Sequence, residues 1–211
     1  MTKTVRDKSV ETSPATPAPT APTESVRQRI LATARELFYR EGARAVGVDT
    51  VVAQSGVAKT SLYRWFPSKD ALIAAVLEEE ARDRWQSWDR TAQRSDPDPR
   101  ARLRTQLAGI AKYVASVSFR GCPFMNAAVT FPDEQHPARI VAVAVCGELR
   151  RRVRGLVDAI AGVRDPVELT DHLLLLIEGT LSSAMVLGKD GPQKYLLTAA
   201  DALVDAQLKA T

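Results

Sequence analysis

Cysteine and histidine are scarce: the 211-residue chain has two of each, Cys122 and Cys146, His136 and His172. Two distant cysteines make no disulfide scaffold in a protein this size, and together with two isolated histidines they match no metal-ligand spacing. Neither a metal nor any other cofactor is expected. Cys122 with His136 or His172 as base is the one candidate for nucleophilic chemistry, but no activating spacing accompanies it, and no glycine loop of phosphate-binding type is present. The chain therefore does not read as an enzyme. Long apolar runs are missing too. Nothing at the N-terminus resembles the core of a signal peptide, and the most apolar stretch, about Leu173 to Leu187, contains Glu178 and falls short of the roughly 20 residues of a membrane span. A buried helix is expected there, in a protein of the reducing cytoplasm with no membrane partner. Alternation with a period of two is absent, as is any internal repeat, so the fold class should be all-α.

What the sequence does have is helical periodicity, on a chain long enough to bury a substantial core. Residues 1–22 carry Pro14, Pro17, Pro19 and Pro22 among Thr, Ser and Ala, a composition that predicts a disordered Pro-rich tail. Ser25 and Gln28 form a capping box for a first helix with Ile30, Ala34 and Leu37 on one face, stopped at Gly42. Val48 to Ser55 makes a short second helix, and Gly56 breaks it before a third that carries Leu62 and Phe66 one turn apart. Pro67 ends the third, and Ser68 caps a long fourth helix reaching Asp96-Pro97-Asp98-Pro99. Further amphipathic helices follow: one from about Leu103 to Val117, a short one after Gly121-Cys122-Pro123, one from Pro137 to about Ile160, and two over 167–187 and 192–209. Arg150, Arg151, Arg152 and Arg154 near the end of the Pro137 helix suit its negative pole and read as a solvated face.

Two short helices around a glycine turn suggest a helix-turn-helix. The helix over residues 58–66 keeps Leu62 and Phe66 inward and offers Lys59, Thr60, Ser61, Tyr63 and Arg64 outward, the arrangement a major groove admits. Arg64 or Lys59 suits guanine, Thr60 a thymine methyl, Ser61 or Tyr63 phosphate. Lys69, in the first turn of the long helix, and Thr50, near the start of the second, are further phosphate candidates. The net charge of +4 permits nucleic-acid binding if the charges share a face.

The segment Val51-Val52-Ala53-Gln54-Ser55-Gly56-Val57-Ala58-Lys59-Thr60-Ser61-Leu62-Tyr63-Arg64-Trp65-Phe66-Pro67-Ser68-Lys69-Asp70-Ala71-Leu72 strongly resembles the TetR family of transcriptional regulators. With the first helix, the resemblance spans about residues 25–75. It implies a helix-turn-helix head over 23–68 and a regulatory and dimerisation body over 69–211, about nine helices in all. It also carries Ala58 and Trp65 onto the set of expected DNA contacts. Two copies would read successive major grooves of a palindromic operator in double-stranded DNA, usually to repress transcription, and a small-molecule effector in the body would release them. Gly47 stands where the family usually has a Ser or Thr that caps the second helix, and Trp65 and Thr60 also depart from its commoner residues.

The body is read from its own chemistry. A largely apolar ligand site with a few polar points is expected, with Trp85, Trp88, Phe119, Phe124, Met125, Phe131 and Met185 as candidate walls and Asn126, His172 and Cys122 as polar points. The segment Phe119 to Ala128, with His136-Pro137-Ala138-Arg139 after it, resembles a stretch found in a subgroup of these regulators and places it beside that site. The helix from Leu173 to Leu187 is apolar nearly all round, which calls for a partner on a second face. Homodimerisation through 167–187 and 192–209 is expected, with Gly179, Ser182, Ser183 and Ala184 allowing close approach and Leu196, Leu197, Ala200, Leu203, Val204 and Leu208 forming a stripe. Redox sensing through Cys122, beside Arg120, is the alternative regulatory signal. An adaptor without DNA binding is a third reading.

Overall fold

The computed structural model describes residues 25–208, so the Pro-rich stretch over 1–22 lies outside the described residues. Nine α-helices follow one another there: α1 (Val26–Glu41), α2 (Val48–Ser55), α3 (Lys59–Trp65), α4 (Lys69–Arg94), α5 (Pro99–Val114), α6 (Pro123–Thr130), α7 (Pro137–Asp158), α8 (Pro166–Leu187) and α9 (Leu196–Leu208). Their ends follow local chemistry. Ser25 Oγ accepts the Gln28 amide at 3.2 Å while Gln28 Oε1 accepts the Ser25 amide at 3.2 Å, the reciprocal capping box. Ser68 Oγ accepts the Ala71 amide at 3.0 Å at the head of α4, and Asp98 accepts the Ala101 amide at 2.7 Å ahead of Pro99. Gly56 closes α2 with φ 65° and ψ 26°, left-handed backbone that glycine adopts without a Cβ penalty.

Two cores result, and α4 serves both. Leu72 and Val76 join Ile30, Leu31, Leu37, Val51, Leu62 and Phe66 in the head, whereas Ile73 and Leu77, one position round the same helix, join the body. The head's core therefore runs past residue 68 into the first two turns of α4, and any rotation of α4 is felt by both halves. The body's core is larger and gathers apolar residues from α4 through α9.

Three details differ from the sequence reading. α5 stops at Val114 rather than Val117, because the Ser116 and Phe119 amides bond back three residues, to Tyr113 and Ser116, and leave Val117 90% exposed. The arginine run on α7 is not uniformly solvated. Arg152 is 17% exposed, pairs with Asp89 at 2.5 Å and Glu148 at 2.6 Å, and lies over the Trp85 ring at 4.7 Å, so it bolts α7 to α4. Finally, α8 is 22 residues long, apolar and long enough by length and composition to cross a membrane. Its Leu169, Leu173, Ile177 and Leu181 are nevertheless spent in the body's core, against α5, α7 and α9.

Candidate functional site

The helix-turn-helix is built from residues too few to be helical alone. α3 has seven residues and α2 eight, below the length at which isolated helices hold. Val51, Leu62 and Phe66 fix them to α1 and α4, with Leu62 fully buried and Phe66 2% exposed. Buried anchors on one side leave Ala58, Lys59, Thr60, Tyr63, Arg64 and Trp65 exposed on the rest of α3, while Ser61 and Thr50 are half-buried. Tyr63 is 43% and Trp65 50% exposed, large aromatic surfaces that no part of the described chain covers. The nine candidate contact residues thus lie on or beside one short helix and the start of its neighbours.

Their charges are not equally free. Lys59 Nζ lies 2.6 Å from Asp49 Oδ1, an ion pair that ties the starts of α2 and α3 and raises the lysine's pKa through the hydrogen bond first. Lys69 Nζ donates to the Arg44 carbonyl at 3.0 Å. Arg64 has no ion pair among the described residues, which makes it the cation on α3 most available to an outside anion. Gly47 caps α2 with extended backbone but no side-chain hydrogen bond, as the missing hydroxyl requires.

The head meets the body through side chains whose importance the sequence does not advertise. Arg35 of α1 reaches Glu80 at 2.5 Å and Asp83 at 2.7 Å on α4. Tyr39 of α1 accepts the Arg120 amide at 2.7 Å and donates to the Gly121 carbonyl at 3.3 Å, in the loop between α5 and α6. Tyr113 of α5 also donates to that carbonyl, at 3.4 Å, and burial pushes its phenol up so that it stays protonated. A second junction stacks His136 on Phe131 at 4.0 Å, with Arg44 over the same Phe131 ring and His136 Nε2 3.4 Å from Asp70. His136 Nδ1 accepts the Ala138 amide at 3.1 Å as the cap of α7, so both ring nitrogens are occupied structurally.

Between head and body, a cavity of about 320 Å³ is walled by α4, α5, α7 and α8, with Arg35 of α1 also lining it. Trp85 and Trp88 line it, together with Ile110, Tyr113, Leu149, Ile177 and Leu181. The other candidate lining residues sit elsewhere. Phe124 and Cys122 are buried in the core at the start of α6, and Met125 is packed against that core. Phe119 rests edge-on against Tyr113, with ring centroids 5.2 Å apart. Asn126 Nδ2 donates to the Arg120 carbonyl at 3.3 Å and holds the loop, and with Phe131 it borders a smaller space of about 130 Å³ under α1. Met185 is 52% exposed on α8, and His172 stands near the N-terminal end of that helix. At 6% exposure, Cys122 lacks the accessibility a redox sensor needs.

The comparisons agree with this geometry. The family model for bacterial regulatory proteins of the tetR family matches residues 30–76, from the core of α1 to Val76, the last head-core residue on α4. The solved structure of SCO4454, a TetR-family transcriptional regulator from Streptomyces coelicolor, superposes with a TM-score of 0.80 at 28% identity over 87% of this chain and 96% of that one. Residues 30–76 are a TetR-family head, and the fold of the described residues is that of TetR-family regulators. A second TetR-type regulator, from Streptomyces avermitilis, aligns with a TM-score of 0.74 at 28% identity over 87% of this chain and 98% of that one. Among curated proteins, the HTH-type transcriptional activator FasR of Mycolicibacterium smegmatis is 34% identical over 93 residues, 44% of this chain. The match spans 42% of that relative's length. Beside this TetR-type head, the element the sequence missed is Tyr39: its partners lie 81 and 82 residues away, and no local pattern marks them.

Proposed function

We propose that this chain is a homodimeric transcriptional regulator in which α3 reads the major groove of a two-fold operator in double-stranded DNA and a small molecule in the body cavity changes its grip. The observation that carries the reading is α3 itself: a helix pinned by Leu62 and Phe66 with its remaining surface given to short polar, basic and aromatic side chains. Arg64 suits a guanine edge, Tyr63, Thr60 and Ser61 suit phosphate or a thymine methyl, and Ala58 and Trp65 flank them. Lys59 exchanges Asp49 for phosphate, and Lys69 and Thr50 meet the backbone from the helices on either side. Two copies present two such helices, so the operator is palindromic. Control is negative where the operator overlaps a promoter, and positive, as the name of FasR has it for that protein, where the bound dimer assists polymerase.

Coupling runs through α4. A ligand against Trp85 and Trp88 pushes on the helix whose first turns complete the head's core, and the Arg35 and Tyr39 contacts bind α1 to the same region. It needs a difference in ligand affinity between two arrangements, typically about 1–3 kcal/mol.

Selection of bound fragments from genomic DNA identifies the operator. Against it, Arg64→Ala is expected to cost about 1–3 kcal/mol and to relax preference at one base position, while Tyr63→Ala weakens binding and lowers its salt dependence little. Titration by anisotropy, with circular dichroism as the check on folding, decides the matter; wild-type affinity in both variants would move the interface off α3. Tyr39→Phe tests the junction: losing the acceptor for the Arg120 amide should cost about 1 kcal/mol in urea unfolding and speed exchange of that amide. Unaltered exchange would mean that the hydroxyl holds nothing there.

A further inference from the structure

The effector cavity has a charge asymmetry that bears on what it takes, and the inference rests on the reading of this cavity as the effector site. Two arginines line it. Arg35 is neutralised, with Glu80 and Asp83 at 2.5 and 2.7 Å. Arg84 is not: among the described residues it has no carboxylate within ion-pair distance and makes no hydrogen bond. Its guanidinium instead lies 4.9 Å from the ring centroid of Phe124, which is 1% exposed. A ring face attracts the charge but accepts none of the five N–H donors. Half-buried beside Trp85, Trp88 and Ile177, these donors are partly withdrawn from water, and a charge so placed gains most from an anion that brings hydrogen-bond acceptors.

The rest of the wall determines the other end of the ligand. Ile110, Leu149, Ile177 and Leu181 supply apolar surface, and a volume of about 320 Å³ sits at the small end of the ligand-site range of about 300–1,000 Å³. We infer that the cavity takes a monocarboxylate with an extended apolar body, the carboxylate held by Arg84 and the apolar part lying along α5, α7 and α8. Glu80 and Asp83 share a single guanidinium, so a cationic amphiphile is the rival they would favour. Asp83, with its side chain 51% exposed, is largely screened by water, and Glu80 holds the shorter contact to Arg35.

Decanoate, decanol and decylammonium share a chain and differ in head charge, and calorimetric titration of the full-length protein with each separates the cases. Decanoate is expected to bind at least about tenfold tighter than decanol, Arg84→Gln to erase that advantage, and Arg84→Lys to restore part of it, as a charge-assisted contact predicts. Equal or tighter binding of decanol or decylammonium, abolished by the cavity-filling Ile177→Trp, overturns the anionic ligand and leaves the cavity as an effector site. Decanoate binding that survives both Arg84→Gln and Ile177→Trp overturns the placement as well. Binding by none of the three overturns the ligand class. Thermal unfolding of each variant, measured without ligand, shows whether a lost affinity is a lost fold.

Discussion

Leu62→Ala is expected to abolish specific DNA binding while the body stays folded. Leu62 is fully buried at the centre of a seven-residue helix, and its neighbours in the head are few: eleven buried residues make that core. Emptying such a site costs about 2–5 kcal/mol, a large share of the roughly 5–15 kcal/mol that holds a whole domain. α3 has no propensity to fall back on, since a helix of two turns does not persist in water without its tertiary anchors. The loss should therefore be local. Hydrogen exchange is the suitable measurement: amides of residues 59–65 become unprotected, while those in the buried stretch of α8, around Leu173 and Ile177, keep their protection because they belong to the other core. Native protection in α3 with undiminished operator affinity would show that Leu62 is not the anchor of the reading helix.

The same contrast explains which parts of the molecule were legible in the sequence. Caps and stops act within four residues, so Ser25 with Gln28, Gly56, Ser68 and Asp98 announce their helices, and the inward pair Leu62 and Phe66 follows from helical spacing alone. Charges are harder, because a cation's partner is chosen by tertiary geometry. Lys59 and Lys69 read as free on the page, yet one meets Asp49 and the other the Arg44 carbonyl. Arg152 reads as one of four solvated arginines but is drawn across to Asp89, 63 residues earlier, by the packing of α7 on α4. The cavity was half legible: Trp85 and Trp88 line it, but Phe124 is consumed as the ring beneath Arg84, and Arg84 had no sequence signal at all.

α9 shows the same limit and bears on the proposed dimer. Leu196, Ala200 and Val204, expected as a stripe for a partner, are 2%, 3% and 2% exposed because α9 lies against α5 and α8 of its own chain. Leu197, Leu203 and Leu208 of that stripe are half-buried, and the exposed large apolar side chains of the two helices are all on α8. Leu175, Gly179, Ser182 and Val186 fall at i, i+4, i+7 and i+11, one face of the helix, with Leu175 66% and Val186 74% exposed and open space where a Gly179 side chain would project. Small residues between two exposed apolar ones let a symmetry-related helix approach closely. Across a two-fold axis a residue near the axis faces its own copy, so Leu175→Glu with Val186→Glu sets like charges together in a desolvated contact while leaving the monomer's core untouched. The doubly substituted protein is expected to sediment as a monomer with an unfolding midpoint close to that of an isolated wild-type protomer. Its operator affinity should fall by about 10²–10⁴, because two half-site contacts no longer act as one binding event. Binding to an isolated half-site should barely change, and that separates lost dimerisation from a damaged head. A variant that still sediments as a dimer would place the interface on another exposed apolar face, of which α7, with Ile140 and Val143 outward, is the next candidate.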